Sequence, residues 1–88
     1  MTENSLERVA YFLEVLVRER FQVSESDARF HRDTNLWEGG YVDSIGVVEM
    51  IGGLEEEFKI RIPEETLFDP DFTNINGIAR LLTHLIVK

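Results

Sequence analysis

Apolar residues recur every three or four positions in three separate segments of the chain, which is the spacing of one face of an α-helix. The first apolar stripe consists of Leu6, Val9, Ala10, Leu13, Leu16 and Val17. Small polar residues that can cap a helix precede this stripe at positions 2–4. The pattern therefore predicts a first helix over about residues 4–20.

A second stripe follows the pair Asp43-Ser44, and either of these two residues can cap a helix N-terminus. Apolar residues then repeat at intervals of four, three and four positions, at Val47, Ile51, Leu54 and Phe58. A second helix is therefore predicted to begin at Asp43 or Ser44, with this stripe facing the core.

A short helix is predicted next, around Pro63, which stands at a plausible first-turn position. Glu64 and Glu65 follow it and would favour the positive end of a helix dipole. Asp69-Pro70 closes the segment, so the helix should have about one to two turns.

The last stripe runs to the C-terminus behind a cap at Thr73 or Asn74, and it consists of Ile75, Ile78, Ala79, Leu82, Leu85 and Ile86. No segment shows a convincing strand pattern. The predicted fold class is all-α, a small bundle of three longer helices and one short helix in a single domain over residues 1–88.

A long loop is predicted between the first and second helices, because helical periodicity lapses over residues 21–43. Gly39-Gly40 marks a turn within it. Scattered apolar residues should pin the loop to the core, namely Val23, Phe30, Leu36 and Trp37. Loops longer than about 12–15 residues in a compact domain are usually functional or partly ordered, so this length is itself informative.

Composition and charge narrow the classes of function. The 88 residues, 43% of them hydrophobic and none of them cysteine, suit one domain that folds without disulfides. The net charge of -8 opposes binding to nucleic acid and favours protein partners that present Lys and Arg. The N-terminus lacks a signal-peptide pattern, and no apolar run approaches the ~20 residues of a membrane span. We therefore expect a cytoplasmic protein without membrane insertion.

Two catalytic or metal-binding interpretations fail on the residues present. A hydrolase motif around the serine of the second helix would need glycine where Val42 stands, and only His31 and His84 could serve as bases. A calcium loop in the following acidic segment would need glycine where Asn74 stands and glutamate where Arg80 stands. We predict neither an enzyme nor a metal site.

Three motifs lie in a fixed register: DSI at residues 43–45, LEEEF at 54–58 and IPEE at 62–65. With these motifs the chain resembles the acyl carrier protein family, in which Asp-Ser and an aliphatic residue open an acidic second helix. The first-helix stripe, the long loop and the last helix also resemble that family, so the resemblance covers nearly the whole chain. Asp-Ser alone would be a weak signal, but the downstream register makes it a strong one.

The resemblance implies that Ser44 carries a covalent 4'-phosphopantetheine arm, taken from coenzyme A by a phosphopantetheinyl transferase. The thiol of that arm would hold acyl or aminoacyl groups as thioesters, so the chain itself needs no cysteine. A phosphodiester at the first position of a helix would also be favoured by free backbone N–H groups and by the helix dipole. Other implied partners are a loading ligase or transferase and downstream enzymes with basic docking patches, acting on a monomer.

A docking face for these partners is predicted on the second helix. At about 100° per residue, Ser44, Val48, Gly52, Glu55 and Glu56 share a face beside the core stripe. The residues assigned to partner binding are Asp43, Ile45, Val48, Glu49, Glu55 and Glu56. Carboxylates on this face would steer basic partners in a salt-dependent way.

Glycines distinguish the chain from carriers of fatty acid synthesis, which usually have an acidic residue where Gly46 stands and a bulky apolar one where Gly52 stands. With Gly53, these residues each weaken a helix by about 0.5–1 kcal/mol relative to alanine, so the second helix should be loose or closely approached by a neighbour. Gly40 also stands four residues before Ser44, where the fatty acid type has its glycine three before.

These departures favour a dedicated carrier of acyl or aminoacyl intermediates in a lipid or natural-product pathway over housekeeping fatty acid synthesis. Three alternatives remain open: an aminoacyl or D-alanyl carrier for cell-envelope or peptide modification, an unmodified adaptor with the carrier fold, and an acidic regulatory bundle that binds a metal.

Overall fold

The computed structural model describes residues 5–86 and contains four helices: α1 (Ser5–Arg20), α2 (Ser44–Phe58), α3 (Glu64–Leu67) and α4 (Ile75–Ile86). Within this range the chain forms no strand. The prediction of an all-α bundle with three longer helices and one short one is confirmed. The caps expected at positions 2–4 and the predicted helix start at residue 4 lie outside the described residues.

The core lies mainly between α1 and α4, and α2 packs against α1 over a smaller area. All four helices and the long loop surround one cluster of buried apolar side chains. The largest fully buried side chains are Leu13, Leu36, Met50, Leu54, Ile75, Ile78, Leu82, Val9 and Val17. Because removing such apolar surface from water is the dominant favourable term in folding, this cluster holds the helices together.

The core stripe of α2 differs from the predicted one. Its buried residues are Gly46, Met50 and Leu54, whereas Val47 and Ile51 are only partly buried. Those two side chains instead face a groove that also borders α3. Since α3 is only four residues long, it covers this side of α2 incompletely.

The predicted stripes are also wider than the buried core elsewhere, since Leu16, Leu85 and Ile86 are only partly buried. Phe58 is half-buried at the end of α2, where its ring packs edge-on against Phe12 at a centroid distance of 5.5 Å. Leu6 is 42% exposed because it lies in the first turn of α1, at the margin of the helix bundle. Periodicity assigned both residues correctly to the apolar side of a helix, but it could not show where the neighbouring helix ends.

Side-chain caps define the starts of α2 and α4. Asn74 rather than Thr73 caps α4, because its Oδ1 accepts a hydrogen bond from the Gly77 N–H at 2.7 Å. The Thr73 hydroxyl instead donates to the Pro70 carbonyl. Pro63 precedes α3 instead of lying in its first turn, since its ψ of 153° is extended.

The long loop is confirmed, and its four predicted anchors are buried or half-buried. Arg32 ties the loop to α1: its guanidinium donates two hydrogen bonds to Glu7, at 2.9 and 3.1 Å, and a third to Glu14 at 3.0 Å. The hydrogen bond from Arg32 lowers the pKa of Glu7. The Arg32 carbonyl also accepts from the Asn76 N–H, so one residue links the loop to both α1 and α4.

The end of the loop that leads to Ser44 is held separately. Leu36 N–H donates to the Thr73 carbonyl at 2.8 Å, and the indole N–H of Trp37 donates to the Phe72 carbonyl at 3.2 Å. The Tyr41 hydroxyl donates to Asp27, which lowers the pKa of Asp27 and raises the pKa of Tyr41. These bonds fix the chain just before α2 begins.

Candidate cofactor-attachment site

Ser44 is the first residue of α2, and it is exposed. Asp43 has an extended backbone (φ -110, ψ -174), and its carboxylate accepts a hydrogen bond from the Gly46 N–H at 2.7 Å. The N–H groups of Ser44 and Ile45 lie in the first turn and have no acceptor within the helix. Together with the helix dipole they favour an anion, and a phosphodiester on the Ser44 oxygen fits this position.

The Ser44 hydroxyl has no hydrogen-bond partner among residues 5–86. A serine that acts as a nucleophile in its own right needs a neighbouring general base. The geometry therefore suits a serine that another enzyme modifies.

An apolar groove with a volume of about 500 Å³ begins beside Ser44 and runs between α2 and α3. Its walls come from both helices, the long loop and the α3–α4 connection, and consist of Trp37, Val42, Asp43, Ser44, Val47, Ile51, Leu67, Phe68 and Phe72. Phe68 stands at its mouth with 78% of its surface exposed. Sequence reasoning missed Phe68; the available signal was a large aromatic residue outside every helical stripe, next to the turn at Asp69-Pro70.

Most residues of the predicted docking face come together on one exposed strip of α2. Ile45 and Val48 are 73% and 67% exposed, which is unusual for aliphatic side chains of this size. We define the docking strip as the exposed α2 residues Ser44, Ile45, Val48, Glu49, Gly52 and Glu56. Asp43 is exposed beside its N-terminal end.

Three carboxylates of the predicted face have partners within the protein, and the first is Asp43, which caps α2 through the Gly46 N–H. Glu55 is half-buried, and its Oε2 accepts a hydrogen bond from the Ile62 N–H at 2.8 Å, which holds the turn between α2 and α3. Glu49 forms an exposed ion pair with Arg20 of α1 at 3.3 Å. Glu55 therefore has a structural role, and docking through this face stays a prediction for all of its residues.

Phe21 packs against Gly46 in the first turn of α2. Gly46 lies about 200° around the helix from Ser44, so Phe21 supports this turn from the side opposite Ser44. A Cβ placed on Gly46 would lie 2.5 and 2.8 Å from two carbons of the Phe21 ring. It would also lie 3.1 Å from Asp43 Oδ1, the atom that caps the helix. Gly46 is therefore closely approached by a neighbour, one of the two explanations that the sequence left open.

We expect Gly46→Ala to destabilise the protein by about 1–2 kcal/mol, since the cost of overpacking exceeds the gain in helix propensity. Urea unfolding followed by circular dichroism measures this change. Gly53→Ala is the matched control, because its Cβ would lie 3.4 Å from Leu16, an ordinary contact. Phe21→Leu should relieve the clash in the Gly46→Ala protein. Equal stabilisation by both alanine substitutions would refute this packing.

Within the described part of the chain, no three His, Cys, Asp or Glu side chains are grouped so that they could hold a metal ion. The described residues therefore give no structural support to the metal-binding alternative. None of the helices in the same range has the length and apolar character needed to cross a membrane.

Residues 12–82 match the protein family described as "Phosphopantetheine attachment site". The match covers most of the chain and includes α2, the groove and most of α1 and α4. The chain therefore belongs to the family of phosphopantetheine-dependent carrier proteins, as the resemblance to acyl carrier proteins implied. It is a carrier and not an enzyme, and its cofactor is covalently attached 4'-phosphopantetheine.

Among its relatives is the D-alanyl carrier protein of Streptococcus sanguinis, with 34% identity over 70 residues, which are 80% of this chain and 85% of the relative. The D-alanyl carrier protein of Streptococcus mutans is 33% identical over 70 residues, which are again 80% of this chain and 85% of the relative. That of Streptococcus uberis is 36% identical over 48 residues, 54% of this chain and 61% of the relative. These likenesses support the aminoacyl alternative better than the lipid or natural-product pathway that was the main prediction.

Proposed function

We propose that this chain is an aminoacyl carrier protein that holds D-alanine as a thioester on a 4'-phosphopantetheine arm attached to Ser44. The observation that carries the proposal is the exposed serine at the start of α2, within the segment that matches the family. D-Alanine as cargo is supported by the names of the relatives in Streptococcus.

Attachment requires little of the protein beyond presenting Ser44. In the transferase-catalysed step the Ser44 oxygen would form a P–O bond to the phosphorus nearest the pantetheine of coenzyme A and lose its proton. The pyrophosphate bond would break, and adenosine 3',5'-bisphosphate would leave. Asp43 and the unpaired N–H groups of the first turn would hold the helix end in place around the product phosphodiester. Because coenzyme A is an intracellular cofactor, we also propose that the protein acts in the cytoplasm.

The docking strip and Asp43 form the proposed contact surface for the transferase and for the ligase that loads the amino acid. The exposed aliphatic residues Ile45 and Val48 would supply apolar contact beside Ser44. Glu56 would face Lys or Arg of the partner, and Glu49 would do so in exchange for its exposed ion pair with Arg20. Such contacts raise the association rate more than the affinity. Charge reversal at Glu56 tests this steering more cleanly than at Glu55, whose carboxylate holds the α2–α3 turn.

A longer acyl cargo is the second candidate, and the apolar groove favours it. A volume of about 500 Å³ beside Ser44 could hold an aliphatic chain, and burial of its CH₂ groups would be favourable at about 0.8 kcal/mol each. The charged ammonium of D-alanine would gain nothing from the same apolar surface. The groove therefore gives a way to tell the two cargoes apart.

We expect a D-alanine-activating ligase to load the phosphopantetheinylated protein in the presence of ATP. The resulting D-alanyl thioester should not change the fluorescence of Trp37. Trp37 is the single tryptophan and lines the groove, so its emission reports on groove occupancy. Octanoyl thioester on the same arm serves as the comparison and should shift the emission if the chain enters. Loading by an acyl ligase but not by the D-alanine ligase would favour the second candidate.

A further inference from the structure

Gly52 is the one glycine of α2 at which an added Cβ would touch no other part of the protein. Gly46 lies against Phe21, and Gly53 faces Leu16 of α1. A Cβ added at Gly52 would meet no atom within 4 Å, and the residue is exposed in the middle of the helix. Glycine is the weakest helix former apart from proline, so α2 loses stability at Gly52 without any packing gain inside the protein.

The surroundings of Gly52 indicate an external contact. Val48, Gly52 and Glu56 are spaced four residues apart and form one row along the exposed side of α2. The missing side chain leaves a depression in this row, with bare helix backbone at its floor. Val48 is 67% exposed on one side of the depression, and Glu56 supplies a carboxylate on the other.

We propose that Gly52 is the point of closest approach for the phosphopantetheinyl transferase, which seats an apolar side chain on the α2 backbone between Val48 and Glu56. The proposal rests on the proposed role of Ser44, since the transferase must cover the face of α2 that presents this hydroxyl. Gly52 lies eight residues from Ser44, about 12 Å along the helix, within the footprint of a standard protein interface.

Charge and position favour a basic partner protein as the occupant. Among the proposed partners, the transferase is the one that reacts at the Ser44 hydroxyl itself, whereas the ligase reacts at the thiol at the far end of the arm. The docking strip contains no Lys or Arg of its own, and Glu49 is paired with Arg20 of α1. Glu56 is the carboxylate of the strip that is left to meet a basic residue beside the apolar one. A second copy of this acidic chain would meet like charge there. The cargo is not a competing occupant, because Gly52 does not line the groove.

The test compares Gly52→Ala with Gly53→Ala in transfer of phosphopantetheine from coenzyme A by a broad-specificity transferase. Both substitutions should raise the melting temperature, because both improve helix propensity. Only Gly52→Ala should raise the KM for the carrier, by about tenfold with little change in kcat, which corresponds to about 1.4 kcal/mol. Gly52→Leu should raise it further, while Gly53→Ala should stay within about twofold of the wild-type KM.

Each outcome decides a different point. If the wild-type chain is not modified, the proposed function fails, and the Gly52 contact fails with it. If the wild-type chain is modified but Gly52→Ala and Gly53→Ala have the same KM, the contact is overturned while the role of Ser44 stands. Sedimentation of the wild-type protein as a dimer that Gly52→Leu dissociates would assign the depression to a second copy and overturn the proposal.

Discussion

Replacement of Ser44 by alanine is expected to abolish the addition of phosphopantetheine completely and to leave the fold intact. The hydroxyl oxygen is the atom that would form the phosphodiester, so no residual reaction should occur at this position. The side chain is exposed and has no hydrogen-bond partner within residues 5–86, and Asp43 still caps α2. Intact-protein mass spectrometry after incubation with coenzyme A and a transferase measures the reaction, and circular dichroism checks the fold.

Ser26→Ala is a suitable control, since Ser26 is also exposed but lies in the long loop away from any helix start. It should gain the same mass as the wild-type chain. Full modification of the Ser44→Ala protein would show that another residue carries the arm. Retention of full biological activity by Ser44→Ala in the native host would instead support the unmodified adaptor.

Leu36→Ala should destabilise the protein by about 2–5 kcal/mol, a large share of the 5–15 kcal/mol typical of a native domain. Leu36 belongs to the long loop, yet its side chain is 0% exposed within the core. Its backbone joins two segments: the N–H donates to Thr73, and the carbonyl accepts from Tyr41 and Val42. Truncation would leave a cavity beneath the part of the loop that leads to Ser44. The midpoint of urea unfolding measures the loss.

Leu6→Ala is the matched control for this substitution. It removes the same atoms from a leucine that is 42% exposed in the first turn of α1, where little cavity can form. Its cost should therefore be clearly smaller, below about 1.5 kcal/mol. Similar losses in the two proteins would mean that the loop anchor at Leu36 contributes no more than surface packing.

Helix positions could be predicted from the sequence because periodicity and caps act locally. The apolar stripe of α4, the Asp43 cap and the turn after α3 all depend on residues within a few positions of one another. The width of each buried stripe could not be predicted in this way. Val47 and Ile51 are spaced like core residues, but the short α3 leaves them facing a groove.

Candidate site residues could be predicted where all the residues that identify them lie close together in the sequence. Ser44 follows from the DSI motif and from the register of the two motifs after it. Phe68 stands outside every helical stripe, but its place at the groove depends on the course of the chain after α3, which the sequence does not show. Glu55 looked equivalent to Glu56 in the acidic run, and only the backbone of Ile62 distinguishes them by a hydrogen bond.

The sequence by itself determined the helix content, the acidic charge and the serine at the start of α2, because these depend on residue type and short-range spacing. The tertiary structure decided what each glycine of α2 contacts. Identical residues at positions 46, 52 and 53 face an aromatic ring, open solvent and a leucine of α1. These differences arise from contacts between segments far apart in the chain, and short-range sequence patterns do not encode them.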